Sequence, residues 1–164
     1  MYLYERKPVM AVDIEKVRGA LAHNPIKWVS EGKFNNLVLD ERHVKISCET
    51  AGLHMNHVGT VYAGSLFVLA ELAAGAQFMC TYGLDEFVPI VSNFEISYLK
   101  PTKKDIVVDI EWTEKEAAEK IAPIKERGRG RMEVEMTIND TDGVEVAKAT
   151  STVYVLPFTA DMMA

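Results

Sequence analysis

The sequence predicts an α+β domain in which strands surround one long apolar helix. Three observations carry this. Ala63 to Thr81 is apolar on nearly every side, holds no proline and is filled with strong helix formers. Segments around Val44–Cys48, Asn93–Tyr98, Asp105–Trp112 and Arg131–Ile138 alternate apolar with polar residues at period two, the pattern of half-buried strands. Asp142-Gly143 marks a tight hairpin turn between the last two strands. Antiparallel runs beside a single helix indicate α+β rather than a parallel α/β arrangement.

In chain order, Asp13 to His23 reads as a short amphipathic helix. Asp13 is its N-cap, Ile14, Val17 and Leu21 are its apolar stripe, and Asn24-Pro25 stops it. Ile26, Trp28 and Val29 follow as an apolar patch. Phe34 to Leu39 is a strand that turns at Asp40-Glu41-Arg42 into the alternating run at Val44. The central helix spans about 28 Å at roughly 1.5 Å per residue. Being apolar all round, it should be buried nearly all round. Gly83 caps its C-terminus. Val88 to Leu99 opens a meander of four strands. Thr113 to Ile121 is a charged helical insertion ended by Pro123, and Val144 to Leu156 is the last strand.

The chain has 164 residues, enough for one domain with a real core. It is 48% hydrophobic and carries a formal net charge of -6, which weighs against nucleic acid or an anionic membrane as partner. Cys48 and Cys80 are too few for a disulfide framework or a zinc site, so free thiols are expected. The N-terminus lacks a basic start followed by an apolar run. Val58 to Cys80 is long enough for a membrane span. Glu71 near the bilayer centre would cost roughly 2.5–3.5 kcal/mol, and Gln77 adds to it. A cytoplasmic protein with no membrane partner is the expectation.

Ahead of the helix stands Asn56-His57-Val58-Gly59-Thr60, then Ala63-Gly64-Ser65-Leu66-Phe67, with Leu69-Ala70-Glu71 further along. This combination resembles the hotdog-fold thioesterase superfamily, in which a curved antiparallel sheet wraps one long helix. More narrowly it resembles the PaaI-like thioesterases, and among them proteins similar to the YiiD C-terminal domain. The resemblance implies a hotdog domain over residues 34–157, a helical extension over 1–33 packed on the core, and a tail over 158–164. It also implies hydrolysis of acyl-CoA or acyl-carrier-protein thioesters with no metal and no cofactor. Asn56, Gly64 and Glu71 match the motif's asparagine, its last glycine and its acid. Tyr62 stands where the motif has histidine, and Ala63 where it has a first glycine.

Thioester hydrolysis needs an attacking group and donors for the charge that builds on the carbonyl oxygen. The start of the helix supplies free amides and the positive end of the helix dipole. The expected site therefore places the Gly64 amide, with that of Ala63 or Ser65, on the oxyanion, where a missing Cβ lets a ligand approach. Glu71 serves as general base or nucleophile, its pKa raised by burial. Asn56 orients the water or the carbonyl, and Tyr62 and His57 contact substrate. Structural readings stand beside these: Glu71 as an acid bonded across a subunit interface, Asn56 as a turn residue, Gly64 as a packing glycine, Tyr62 as core. His54 and His57 lack the acidic companions of a metal site. Lys125 to Arg131 and Lys100, Lys103 and Lys104 are basic clusters, either for nucleotide phosphates or solvated.

The functional alternatives are a non-catalytic acyl-CoA-binding or regulatory protein, an acyl-thioester hydratase and a scaffold. An open strand edge calls for a homodimer, or a dimer of dimers, with the pocket at the interface.

Overall fold

The computed structural model describes residues 11–159. The expectations for the extreme N-terminus and for most of the tail at 158–164 lie outside the described residues. The elements are α1 (Ile14–Leu21), α2 (Lys27–Glu31), β1 (Phe34–Asp40), β2 (His43–Cys48), α3 (Ala63–Tyr82), β3 (Phe87–Tyr98), β4 (Ile106–Glu111), α4 (Glu114–Arg127), β5 (Gly130–Asp140) and β6 (Glu145–Pro157). The strands form one antiparallel sheet in the order β1-β2-β4-β5-β6-β3. It curls around α3: this is the hotdog fold.

The core follows from the alternation. Val44, Ile46 and Cys48 on β2, Ile106, Val108 and Ile110 on β4, and Met132, Val134, Met136 and Ile138 on β5 are buried. The small residues Ala70, Ala73 and Ala74 let the sheet approach α3 closely. By length and composition α3 would cross a membrane; in the fold it is the core helix.

Three expectations need correction, and one element was not foreseen. The last strands are not a simple meander, because β3 pairs with β6 along its length and crosses to the far edge of the sheet. Period-two patterning fixes which residues face inward and is silent on pairing order. Pro123 does not end the helical insertion but sits inside α4, which runs on to Arg127 and closes at Gly128 in the left-handed conformation. Pro123 is exposed, so the carbonyl it leaves without a donor can turn to water. The patch around Trp28 is a short second helix, α2. Finally, α3 is not buried all round: 11 of its 20 residues are buried. Gly64, Phe67, Val68, Glu71, Leu72, Gly75, Met79 and Tyr82, spaced three or four apart, form one less buried stripe. A single sheet has one concave face, and wrapping that face round a helix leaves a seam.

Both cysteines are free and buried. Burial, with Asp105 and Glu49 nearby, pushes the Cys48 thiol up to about 12, and burial pushes Cys80 up to about 11. Since the thiolate is the reactive form, an aromatic disulfide reagent at pH 8 should titrate neither thiol in the native protein and both after denaturation. Rapid labelling of the native state would contradict this packing.

Candidate active site

The loop from Thr50 to Tyr62 sets the start of α3. Its ends are tied to the β3–β4 connection: the Thr50 amide donates to Asp105 Oδ1 (2.8 Å) and the Val61 amide to the Thr102 carbonyl (2.8 Å). Within it, Asn56 to Thr60 closes on itself. Asn56 Oδ1 accepts from the amides of Val58 (3.0 Å) and Thr60 (3.1 Å), and its Nδ2 donates to Thr60 Oγ1 (2.9 Å). Gly59 lies at φ 74°, a conformation that favours glycine. That accounts for the Asn-x-x-Gly-Thr spacing. It also leaves Asn56 a single side-chain N–H for any ligand.

The loop is fastened to the helix by His54, a residue the sequence reading weighed only as a metal ligand. Its imidazole is fully buried, with the Trp28 and Phe34 rings at 5.3 and 5.2 Å. Nε2 meets the Gly32 carbonyl, and Nδ1 lies 2.9 Å from Ser65 Oγ. A carbonyl only accepts, so Nε2 carries the proton, and in the neutral ring Nδ1 accepts from the Ser65 hydroxyl. Nothing local marks His54, because its partners lie far off in the chain.

This changes the reading of the helix start. Ser65 is fully buried, and its amide donates to the Tyr62 carbonyl (2.9 Å). Neither its hydroxyl nor its amide faces a ligand, so Ser65 leaves the expected substrate contacts. The amides of Ala63 and Gly64 remain, the first-turn donors that have no partner within the helix. Nor is the space beside Gly64 open. A Cβ there would fall 2.3 Å from Cε1 of Tyr62, whose ring lies against the glycine. Tyr62 itself is 53% exposed and so is not core. Tyr98, with its hydroxyl on the Ala63 carbonyl (3.2 Å), and the Phe67–Phe94 pair, 4.6 Å between centroids, complete an aromatic rim. Burial, then the nearby Tyr62, raises the Tyr98 pKa. His57 is exposed at the loop tip.

Gly64→Ala should therefore push the Tyr62 ring aside and disturb the amides beneath it. Adding Tyr62→Ala should relieve the clash. A Gly64→Ala protein with unaltered melting temperature and ligand binding would contradict the placement of the ring.

Glu71 lies two turns into α3 on the same face as Gly64, about 10 Å further along the axis. It is half-buried on the open stripe. Burial raises its pKa; no charged or hydrogen-bonding neighbour among the described residues contributes. A carboxylate so placed is one of the groups that can take a proton from water near neutral pH.

The family model described as "Domain of unknown function (DUF4442)" matches residues 25–155. The chain belongs to the DUF4442 family. Among solved structures this DUF4442 protein is similar to PA5026 of Pseudomonas aeruginosa, described as a probable thioesterase, at 28% identity and TM-score 0.78, covering 92% of this chain and 99% of that one. It shares its fold with smu.793 of Streptococcus mutans bound to acetyl-CoA, at 22% identity and TM-score 0.57, covering 76% and 89%. It also shares it with the phenylacetic acid degradation protein PaaI of Thermus thermophilus, at 16% identity and TM-score 0.58, covering 77% and 96%. No curated protein matches the sequence. The DUF4442 protein is thus a thioesterase-like hotdog protein.

Proposed function

We propose that this protein is an acyl-CoA thioesterase. The observation that carries the reading is Glu71: an acid with a raised pKa and no ionic partner among the described residues, on the open face of the helix whose first amides remain as donors. In the proposed reaction the thioester oxygen accepts from the Gly64 and Ala63 amides. Glu71 of the same chain lies about 10 Å along the helix from those amides. It is therefore Glu71 of the partner subunit that draws a proton from water as it attacks the carbonyl carbon, or that attacks directly to give an anhydride that water then hydrolyses. The tetrahedral intermediate expels the thiolate, which takes a proton. One oxyanion donor typically contributes roughly 10²–10³ in turnover. The likeness to PA5026 supports this reaction class.

The reading includes a homodimer. β3 is a 12-residue edge strand, with Ile90, Val91 and Tyr98 exposed along it. A second copy paired antiparallel about its middle would cover both edges. Arg131 aligns through Tyr154 with Ile90. That pairing would therefore carry Arg127, Arg129 and Arg131, which line a groove of about 490 Å³, toward the other copy's helix start. There they suit the phosphates of CoA.

A second reading, binding without turnover, is favoured by Tyr62 in place of the motif histidine and by an Asn56 side chain engaged within its own turn. Release of free thiol from a panel of acyl-CoA esters separates the two. Turnover is expected. Tight binding with no thiol release would overturn the hydrolase reading, and a monomer by light scattering at micromolar concentration would overturn the dimer.

A further inference from the structure

A cavity of about 220 Å³ lies between the N-terminal helices and α3. Its apolar floor is formed by Leu21, Val29, Phe34, Ile46, Leu72 and Ala76, and its polar rim by the α1–α2 connection. Leu72 belongs both to this floor and to the open stripe of α3 that holds Glu71. One turn beyond both on that stripe is Gly75, where an added Cβ would meet nothing within 4 Å. The helix surface one turn beyond the carboxylate is therefore bare, and it adjoins Leu72 and Ala76, the two α3 residues that line the cavity.

We infer that this cavity receives the acyl chain of the substrate and that α1 and α2 set its length. The inference rests on the thioesterase reading for the position of the reacting carbonyl. The occupant is an apolar acyl group of medium length. An apolar cavity of roughly 150 Å³ holds benzene, so by volume this one takes about nine carbons. With the carbonyl at Glu71, the chain runs over Gly75, passes Leu72 and ends beneath Val29 and Phe34. A buried methylene contributes roughly fourfold in binding. kcat/KM should therefore climb by up to about that factor per carbon from acetyl-CoA and level off near nine.

The test measures kcat/KM across saturated acyl-CoA esters of two to sixteen carbons. It adds calorimetric binding of octanoate to the same proteins. Leu72→Trp fills the floor and should lower the octanoyl-to-acetyl ratio at least tenfold and abolish octanoate binding. Leu72→Ala should move the plateau to longer chains. Ala20→Phe fills the cavity from an exposed helix position that lines it, and should act as Leu72→Trp does without threatening the fold. Turnover with an unshifted length profile in all three variants overturns the acyl pocket and leaves the hydrolase reading standing. Absent turnover with octanoate binding that Leu72→Trp abolishes overturns the hydrolase reading and leaves the pocket standing.

Discussion

Glu71→Gln should lose acyl-CoA hydrolysis by about 10²–10⁴-fold, the range for removing a general base, while the protein stays folded. The amide keeps the shape of the acid and removes only its ability to ionise. Stability supplies an independent readout. Burial raises the folded-state pKa of Glu71 above its unfolded value, so the folded protein holds that proton more tightly. The stability this lends is fully present below the ordinary carboxylate pKa, about 4.3. It is lost as pH rises through the folded value. At pH 8 the unfolded chain ionises Glu71 freely and the folded protein can do so only against burial, a cost the glutamine variant does not carry. Glu71→Gln should therefore melt higher than wild type at pH 8, with the difference fading as pH falls below the ordinary carboxylate range. The acid limb of kcat/KM should sit above that range for the same reason. Full activity in the variant excludes the mechanism; a lower melting temperature at pH 8 excludes the burial.

His54→Ala should be the most damaging single change to the fold around the site. It strips partners from the Ser65 hydroxyl and the Gly32 carbonyl, at about 1–3 kcal/mol each. It also removes the ring packed against both Trp28 and Phe34. The sum is on the order of 3–5 kcal/mol, or roughly 10 °C or more in Tm for a chain of this size. Ser65→Ala should cost less, and the double variant less than the two singles added together, because both break one bond. Thermal melts of the three proteins measure this. Strict additivity would show that the histidine and the serine act separately.

His54 also shows where sequence reading stops. The α3 helix, the Gly83 cap, the Asp142-Gly143 turn and the inward residues of β2, β4 and β5 were legible, since each depends on residues a few positions apart. Asn56, Gly59 and Thr60 were legible as a motif, and the turn they build shows why that spacing is needed. Ser65 was misjudged because an amide in the first helical turn is free by default. Here the chain bends so that the Tyr62 carbonyl takes it. Gly64 was judged open, because no local rule lays the ring two residues earlier against it.

By itself, the sequence determined a long apolar helix, strands with one greasy side, and an acid amid the grease. Period and composition are properties of neighbours along the chain. Tertiary structure alone decided that β3 crosses to the far edge, that His54 locks Gly32 to Ser65, and that Glu71 falls on the seam the sheet leaves uncovered. Those outcomes depend on which distant segments share one limited concave surface, and an alternating pattern is equally satisfied by many ways of sharing it.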